Sequence, residues 1–383
     1  MPWFVLFVIV LVRLALGLQF QSVGSLGPAI MGSLGIDYVG LGILLGLVQL
    51  PGAVLSLPAG WLNARLGDRK LALGGLTLMT LGATIIAVAG GLDVALAGRL
   101  LTGVGSTMLG IVLMKLVFDQ FSGPALPVAI GFLMAAWPAG QALGLAALPP
   151  LAAAYGWRWA MASTAAFCAI GFVALAVILP RTSERKAPQL TRLMPGELAP
   201  LLAAAVVWAM FNAALNIFVG YGPAYFVATG QTALQAGALV GLLTLPLVPL
   251  VPLGGYLSRF FPNPRATVPI LLGIAAGLAF AVPSSPWPGA MLFGLGLIMG
   301  FPTAVMAAMP GTTVSAESRA IGLGISATIL GVATTALPPL AGWVRDFSGV
   351  EAAALYVGAA CFVVCVIVQA ILAGMQSSVR APA

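Results

Sequence analysis

Charged residues are scarce in this sequence, and histidine is absent. Of the 383 residues, 7% are charged and 61% are hydrophobic, whereas roughly 25% of the residues in a soluble globular chain are charged. A chain with so little charge cannot cover itself with polar surface in water, so most of its surface must face lipid. The lack of histidine excludes a His-based metal site and a His proton relay.

The sequence has only three cysteines, Cys168, Cys361 and Cys365, and all lie in apolar runs. Their spacing gives neither a disulfide framework nor a set of metal ligands, so we interpret them as small buried hydrophobic residues. No nucleophile is paired with a base, and we therefore expect neither an enzyme nor a cofactor. The net charge of +7 comes from basic residues scattered over short loops, which indicates a membrane orientation rather than nucleic-acid binding.

Long apolar runs are abundant, together with 48 glycines and 28 prolines. These two residues suit membrane helices, in which glycine permits close packing and neighbouring helices satisfy the carbonyl groups that proline leaves unpaired. Because a span needs about 20 apolar residues, the runs predict twelve membrane helices. The predicted spans are 3–31, 39–62, 71–90, 94–118, 127–152, 157–179, 198–227, 233–257, 267–283, 287–313, 318–341 and 351–375.

A polar stretch, residues 180–197, divides the chain near its middle. It predicts a cytoplasmic linker between two six-helix bundles, residues 1–179 and 198–383. The N-terminus is apolar from the start, so we expect a first span there rather than a cleaved signal peptide. By the positive-inside rule, basic loop residues put both termini in the cytoplasm, across a bacterial inner membrane. Besides the linker, these residues are Arg65, Arg69, Lys70, Arg259, Arg265, Arg319 and Arg380.

Three short segments of the first half recur in the same order in the second half. Because the shifts are nearly equal, they indicate two homologous halves in parallel orientation, with a solute path at their interface. The pairs are 27–29 with 222–224 (222 − 27 = 195), 58–65 with 252–259 (252 − 58 = 194) and 147–152 with 336–341 (336 − 147 = 189).

The loop after the second predicted span resembles the signature loop of the major facilitator superfamily. Residues 60–70 read GWLNARLGDRK; the glycines let the loop turn tightly, and the basic residues hold it at the cytoplasmic surface. Residues 99–105 (RLLTGVG) and 155–159 (YGWRW) are similar to two further motifs of that family. The resemblance covers essentially the whole chain.

This resemblance implies an all-α membrane protein with twelve transmembrane helices in two pseudo-symmetric six-helix bundles, which moves a solute by alternating access. Ala64 stands where the family has an acidic residue that helps to hold the outward-open state, and Asp68, one turn later, is a candidate substitute. The residues expected in gating contacts and salt bridges are Arg65, Asp68, Arg69, Arg99 and Asp119.

Within the superfamily, residues 21–28, 114–121 and 137–138 are similar to the cyanate permease and nitrate/nitrite-like branches. The fifth span reads WPAGQALG at residues 137–144, where the drug/proton antiporters have G-P-x-x-G-G. This departure counts against drug efflux.

In the family, spans one, four, seven and ten line a central cavity, and the polar residues of this sequence fall on those spans, with two more on span five. Asn212 and Asn216 share a helix face and either line the cavity or bond neighbouring helices. Lys115 and Asp119 also share a face and either contact substrate or close the cytoplasmic end. The predicted substrate-binding residues are Arg13, Gln19, Gln21, Ser22, Ser106, Lys115, Trp137, Gln141, Asn212, Asn216, Tyr221 and Thr303.

Arg13 is the most informative of these residues. It lies about ten residues, or roughly 15 Å, into the first span, where a charge is costly unless it is paired or hydrated. It either serves function or extends to the cytoplasmic edge. No carboxylate falls at mid-membrane, which disfavours a proton relay through the protein. The sequence therefore predicts a monomeric symporter or exchanger for a small, organic anion held by charge-assisted hydrogen bonds.

Two other functions stay open. A proton-coupled exporter of drugs or other amphipathic compounds would have an acidic residue in the cavity and the antiporter motif in the fifth span. A non-transporting scaffold with the same fold would have a cavity without convergent polar groups.

Overall fold

The computed structural model describes residues 2–56, 59–122, 125–179, 193–257, 264–315 and 317–378. All regular secondary structure in these residues is α-helical. The helices are α1 (Pro2–Ser25), α2 (Gly27–Leu34), α3 (Tyr38–Leu47), α4 (Leu50–Leu55), α5 (Ala59–Ala87), α6 (Leu92–Gln120), α7 (Ala125–Tyr155), α8 (Trp157–Ile178), α9 (Leu198–Ala228), α10 (Ala233–Thr244), α11 (Leu247–Leu257), α12 (Pro264–Ala281), α13 (Pro288–Thr312), α14 (Arg319–Ser348) and α15 (Ala353–Ser378).

The helices account for all twelve predicted spans. Within the described residues, 11 helical stretches are long and apolar enough to cross a membrane, and α12 contributes a shorter apolar helix at the ninth span. Prolines divide several spans because a proline inside a helix removes a hydrogen bond and crowds the preceding turn. Breaks at Leu26, at Gln49 and before Leu247 lie next to Pro28, Pro51 and Pro246.

The predicted signature loop falls within α5, whose helical geometry is interrupted at Gly67 (φ 73°, ψ 158°). A side chain rarely tolerates this positive φ, so glycine lets the chain turn here without strain. The side chains of residues 59–64, Ala64 among them, and residues 180–192 of the predicted linker lie outside the described part of the chain. The linker and the boundaries of the two halves therefore stay predictions.

The eleventh span is longer than the sequence indicates, because α14 continues to Ser348 instead of ending near residue 341. Arg345 and Asp346, which we expected in a loop, lie in its last turns. We call this end of the molecule the opposite end, and the end that carries Arg65, Arg69 and Lys70 the basic end.

The two halves meet along two related seams. Helices α3 and α4 of the first half pack on α14, and α10 and α11 of the second half pack on α7. At one seam, a Cβ on Gly42 would stand 2.6 Å from the Pro338 oxygen; at the other, a Cβ on Gly237 would stand 3.2 Å from the Pro149 ring. The glycines are 237 − 42 = 195 residues apart, as the sequence repeat requires, and both prolines belong to the recurring segments. The seams thus support the pseudo-symmetric arrangement.

Candidate functional site

Arg13 and Trp137 form the centre of the candidate site. Arg13 is 13 − 2 = 11 residues from the start of α1, which is about 16 Å at 1.5 Å per residue. Its guanidinium carbon lies 5.0 Å from the centroid of the Trp137 ring, in cation–π geometry. Helices α1 and α7 approach this closely because Gly17 faces the Trp137 backbone, where a Cβ would stand only 2.3 Å from the carbonyl oxygen.

The Arg13 side chain is half-buried and makes no hydrogen bond or ion pair with any described residue. Its Nε is fully buried without a partner. Trp137 offers only its ring face and no acceptor atom. The guanidinium therefore keeps its donors for a group that the protein itself does not supply.

The carboxylates that the structure describes lie toward the two ends of the bundle, away from the level of Arg13. Glu184 is in the stretch outside the described residues. The other eight are Asp37, Asp93, Asp346 and Glu351 at the opposite end, and Asp68, Asp119, Glu197 and Glu317 at the basic end. No described carboxylate neutralises Arg13.

Asn212 and Asn216 lie on the face of α9 that meets α1. The amide nitrogen of Gln21 on α1 donates to the Val219 oxygen at 2.7 Å, and the asparagines are one and two turns before Val219. Helix α1 is the first span and α9 is the seventh, with five spans between them, so the two helices run in the same direction. The two backbones meet where a Cβ on Gly24 would stand 3.0 Å from the Gly220 Cα. This register, 220 − 24 = 196, puts Arg13 level with residue 209, within one turn of Asn212.

The amides of these asparagines are available to a ligand. The Asn212 nitrogen donates to the Trp208 oxygen at 2.8 Å, which leaves its side-chain oxygen without a described partner. Asn216 makes no hydrogen bond with a described residue, and both side chains are half-buried.

Gln141 stands one turn beyond Trp137 on α7. Gly144, three residues after Gln141, contacts Gln21 of α1. Leu145, four residues after Gln141, contacts Gly237 of α10 through its carbonyl oxygen. Its side chain therefore points toward the junction of the two halves. It is 7% exposed, and its amide has no partner among the described residues.

Ser106 completes the site from α6. Arg99 faces α1, because its guanidinium donates to the Gln19 and Phe20 oxygens, and Ser106, 106 − 99 = 7 residues later, shares that face. Seven residues span about 10 Å, which brings Ser106 to the level of Arg13. We call Arg13, Ser106, Trp137, Gln141, Asn212 and Asn216 the central group.

The central group is closed toward the opposite end by direct contact of α1 with α9. Besides the Gln21–Val219 hydrogen bond, a Cβ on Gly24 would stand 2.9 Å from the Val219 oxygen. Further out, Tyr221 lies between the halves, with its hydroxyl 2.9 Å from the Tyr38 oxygen and 2.7 Å from the Pro338 oxygen.

A second set of contacts joins the halves at the opposite end itself. The Asp346 carboxylate on α14 accepts a hydrogen bond from the Val39 N–H at 3.0 Å and so caps α3 of the other half. Arg345 stacks over the Tyr38 ring at 3.9 Å and binds Glu351 at 2.6 Å. We call Tyr38, Tyr221, Arg345, Asp346 and Glu351 the outer latch.

Comparison with known proteins assigns the fold. The family model described as Major Facilitator Superfamily matches residues 9–310, which is most of the chain. The chain belongs to the Major Facilitator Superfamily. It is therefore a multi-pass membrane protein of a transporter family, and the resemblance seen in its motifs is confirmed.

The chain is also similar to individual proteins. The cyanate transport protein CynX of Escherichia coli (strain K12) is 25% identical over 355 residues, 90% of each chain. The putative multidrug resistance protein MdtD of Escherichia coli O157:H7 is 28% identical over 218 residues, 56% of this chain and 44% of that protein. The crystal structure of a peptide transporter POT in complex with sulfate superposes with a TM-score of 0.79 at 14% identity, over 97% of this chain and 95% of that one; this likeness concerns the fold alone.

Lys115 lies away from the central group of this superfamily member, and its contact with substrate stays a prediction. Its ammonium pairs with the Asp68 carboxylate and, at 3.1 Å, with Asp119. Lys115 is five residues from the end of α6 (120 − 115 = 5), and this position near the basic end lets its side chain reach the signature loop. Asp68 thus makes the ion pair that we expected of a substitute for the missing acid at position 64, while its gating role stays a prediction.

Gln19 and Ser22 lie on the wrong face of α1 to join the central group. Val12 packs on α8, 3.2 Å from where a Cβ on Gly171 would stand, and Gln19 follows it by two turns on the same face. Both side chains are 0% exposed, and the Ser22 hydroxyl donates to the Gln19 oxygen. The sequence could not decide this because it does not show which neighbour each face meets.

Tyr221, Thr303 and Gln21 also lie outside the central group, and their binding of substrate stays a prediction. Tyr221 is 1% exposed and belongs to the outer latch. Thr303 shares a face with Gly296, which packs against α10, and its hydroxyl donates to the Met299 oxygen. The Gln21 amide N–H donates to the Val219 oxygen in the contact between α1 and α9.

Arg65, Arg69 and Arg99, which were predicted in gating contacts or salt bridges, differ in burial and in their partners. Arg99 is fully buried and donates to three carbonyl oxygens, of Leu44, Gln19 and Phe20; a salt bridge is therefore not its arrangement. Arg69 donates to the Leu179 oxygen at the end of α8. Arg65 is exposed at the basic end.

The sequence did not indicate how the outer latch is assembled. The predicted spans 318–341 and 351–375 put Arg345 and Asp346 in the loop between them. Their helical position and the capping of α3 depend on the contact between halves, for which the sequence carries no local signal.

Glu197 makes a comparable contact at the basic end. Its carboxylate accepts hydrogen bonds from the Ser315 N–H at 2.6 Å and the Met194 N–H at 2.9 Å. These donors lower the pKa of Glu197 to about 2, from an ordinary value of 4.5. The contact ties the start of α9 to the connection between α13 and α14.

Proposed function

We propose that this protein is a secondary transporter for small, organic anions, with Arg13 as the residue that binds the negative charge. The observation that carries the proposal is the unpaired guanidinium in the middle of the bundle. A charge at that depth is costly unless a partner neutralises it, and an anion supplies both the opposite charge and acceptors for charge-assisted hydrogen bonds.

The proposed transport cycle is alternating access between the halves, 1–179 and 198–383. Contacts at the outer latch would break as contacts at the basic end form, with the central group staying near the middle. We place the basic end in the cytoplasm of a bacterial inner membrane, following its arginines and lysines, and expect a monomer. Because no described carboxylate lies near the central group, coupling by exchange, or by a proton carried with the substrate, fits better than a carboxylate relay.

The test is binding by purified protein that carries Arg13→Gln. Thermal unfolding would be followed with a panel of mono- and dicarboxylates, nitrate and chloride, and uptake of each stabilising anion measured in proteoliposomes. Since a hydrogen bond to a charged group is worth about 1.5–3 kcal/mol, the variant should bind about tenfold to hundredfold more weakly.

Arg158→Gln is the matched control. Arg158 also stacks on a tryptophan, with its guanidinium carbon 4.6 Å from the Trp157 ring, but it lies at the opposite end. This control should keep the affinity of the unmodified protein. Stabilisation by cations or neutral amphipaths alone, or equal affinity in Arg13→Gln, would refute the anion proposal.

Export of amphipathic compounds is the second candidate, favoured by the similarity to MdtD over 56% of this chain. It requires a cavity that accepts apolar cations, and Arg13 repels these. Proton-driven extrusion of a fluorescent cation from inverted vesicles, unaffected by Arg13→Gln, would select this function. A non-transporting scaffold would show neither anion binding nor extrusion.

A further inference from the structure

We infer that the site takes a short monovalent carboxylate with a neutral hydrogen-bonding group at its far end, in preference to a dicarboxylate or a purely apolar acid. The inference rests on the proposed function and adds a substrate class to it. Two features carry it: the charge of the central group, and the arrangement of its polar side chains in two layers.

The charge of the central group is +1. Arg13 is its only ionisable residue. Lys115 is paired with two carboxylates, while Arg99 keeps its positive charge but commits its donors to three carbonyl oxygens. A bound monoanion makes the loaded site neutral. The second carboxylate of a dianion would meet only neutral side chains of the central group and would have no ion pair there, which is unfavourable in a low-dielectric interior.

The polar side chains form an inner and an outer layer. The inner layer contains Arg13, Trp137 and Asn212. The outer layer contains Gln141 and Asn216, each four residues further along its helix, which is about 6 Å toward the opposite end. Both outer side chains are amides, and neither has a described partner.

Gln141 supports a ligand in the outer layer, because its side chain faces the junction of the two halves and its amide has no described partner. Its side chain is 7% exposed, and a buried amide left without hydrogen bonds is costly. Together the two amides offer donors and acceptors but no charge. They suit a hydroxyl, keto or amide group rather than a second carboxylate or a methyl group.

The contact between α1 and α9, on the opposite-end side of the outer layer, limits the length of the substrate. The Gln21–Val219 hydrogen bond lies 219 − 216 = 3 residues beyond Asn216, about 4.5 Å. A substrate that fills both layers therefore spans about four carbons, and a longer one would have to break this contact.

Three acids of the same length and shape test this inference. Succinamate has one carboxylate and a terminal amide, succinate has two carboxylates, and 4-methylpentanoate replaces the amide with two methyl groups. Competition of each against the best-binding anion of the panel, by thermal shift and by uptake into proteoliposomes, gives relative affinities. Succinamate should bind about tenfold more tightly than either of the others, the factor expected when a buried polar group is left unpaired.

The variants Gln141→Leu and Asn216→Leu separate the layers. Each should remove the preference for succinamate over 4-methylpentanoate and keep binding of 4-methylpentanoate. Gln369→Leu is the matched control, because Gln369 on α15 is also 7% exposed and also has an unpaired amide oxygen; its preference should stay tenfold.

The outcomes distinguish the inference from the proposed function. If succinate or 4-methylpentanoate binds as tightly as succinamate, and Arg13→Gln weakens all three, the two-layer inference is overturned while anion transport stands. If no anion of either panel binds, the proposed function fails, and the inference fails with it.

Discussion

Two arginines inside the bundle have opposite surroundings, although the sequence presents both as charges in apolar spans. Arg99 is fully buried and has three carbonyl acceptors from α1 and α3. Arg13 has an aromatic ring and no acceptor. The backbone satisfies one guanidinium, which therefore joins helices, while the other keeps its donors for a ligand.

Replacing Arg99 should lower stability without changing which anion binds. Arg99→Met fills a similar volume but removes three buried hydrogen bonds, at a cost on the order of 3 kcal/mol. The expected result is a lower unfolding temperature with the same relative affinities across the anion panel. Thermal unfolding with and without ligand measures both quantities. A change of selectivity at unchanged stability would place Arg99 in the site instead.

Asn212 and Gln19 show what helical periodicity can predict at single residues and what it cannot. The four-residue spacing of Asn212 and Asn216 was enough to predict a shared face. Gln19 is as polar and as deep, but whether its face meets the other half or α8 depends on the packing of α1. That packing is set by glycines such as Gly17 and Gly140, whose closeness to a neighbouring backbone the sequence does not reveal.

At the level of helices, the outer latch uses the start of one helix and the end of another. Asp346 near the end of α14 caps the first turn of α3, so the two elements can separate only when that hydrogen bond breaks. A carboxylate at a helix N-terminus is also favoured by the partial positive charge there. The latch therefore stabilises the state in which the opposite end is closed.

Asp346→Asn should shift the protein toward a state open at the opposite end, because it weakens a charge-assisted hydrogen bond. Spin labels at Gly90 and Gln231, exposed loop positions at that end in different halves, would report the separation. Electron–electron double resonance should show a larger population at long distance in the variant. Asp93→Asn, at the same end on α6, is the control. Identical distributions in all three proteins would show that the latch does not hold the closure.

Glu197 gives a pH-dependent contact at the basic end. Since the pKa of Glu197 falls on folding from 4.5 to about 2, its stabilising effect is present above pH 4.5 and is lost as the pH falls toward 2. Glu197→Gln should unfold at a lower temperature than the unmodified protein at neutral pH, and the difference should disappear near pH 2. Thermal unfolding of both proteins from pH 7 to pH 2 measures this. A difference independent of pH would contradict it.

Hydropathy predicted the helices well and their interruptions poorly. Lipid forces every backbone group of a span into a helix, so the apolar runs alone indicated where the spans lie. The breaks beside Pro28, Pro51 and Pro246 lie inside such runs and are invisible to a composition average. Pro223, in the repeat equivalent of Pro28, sits inside an unbroken α9, which shows that proline alone does not decide where a helix breaks.

For the whole molecule, the repeats were the strongest guide. They predicted two halves, and the seams at Gly42 and Gly237 reproduce the same shift of 195 residues. The family name followed from three motifs, of which residues 60–70 lie at the basic end, and the family model confirms it. The chemistry of the site was only partly predictable, because it depends on which of many polar residues the two halves bring to one level.

The missing counter-charge of Arg13 has an electrical consequence. If the empty site is positive and the loaded site neutral, the membrane potential acts on the return of the empty transporter and not on the step that carries substrate. One elementary charge that crosses the full field is worth about 2.3 kcal/mol per 100 mV. In proteoliposomes with a potassium diffusion potential, net uptake should therefore change with voltage while one-for-one exchange should not. Exchange that depends on voltage as strongly as net uptake does would show that the loaded site is charged.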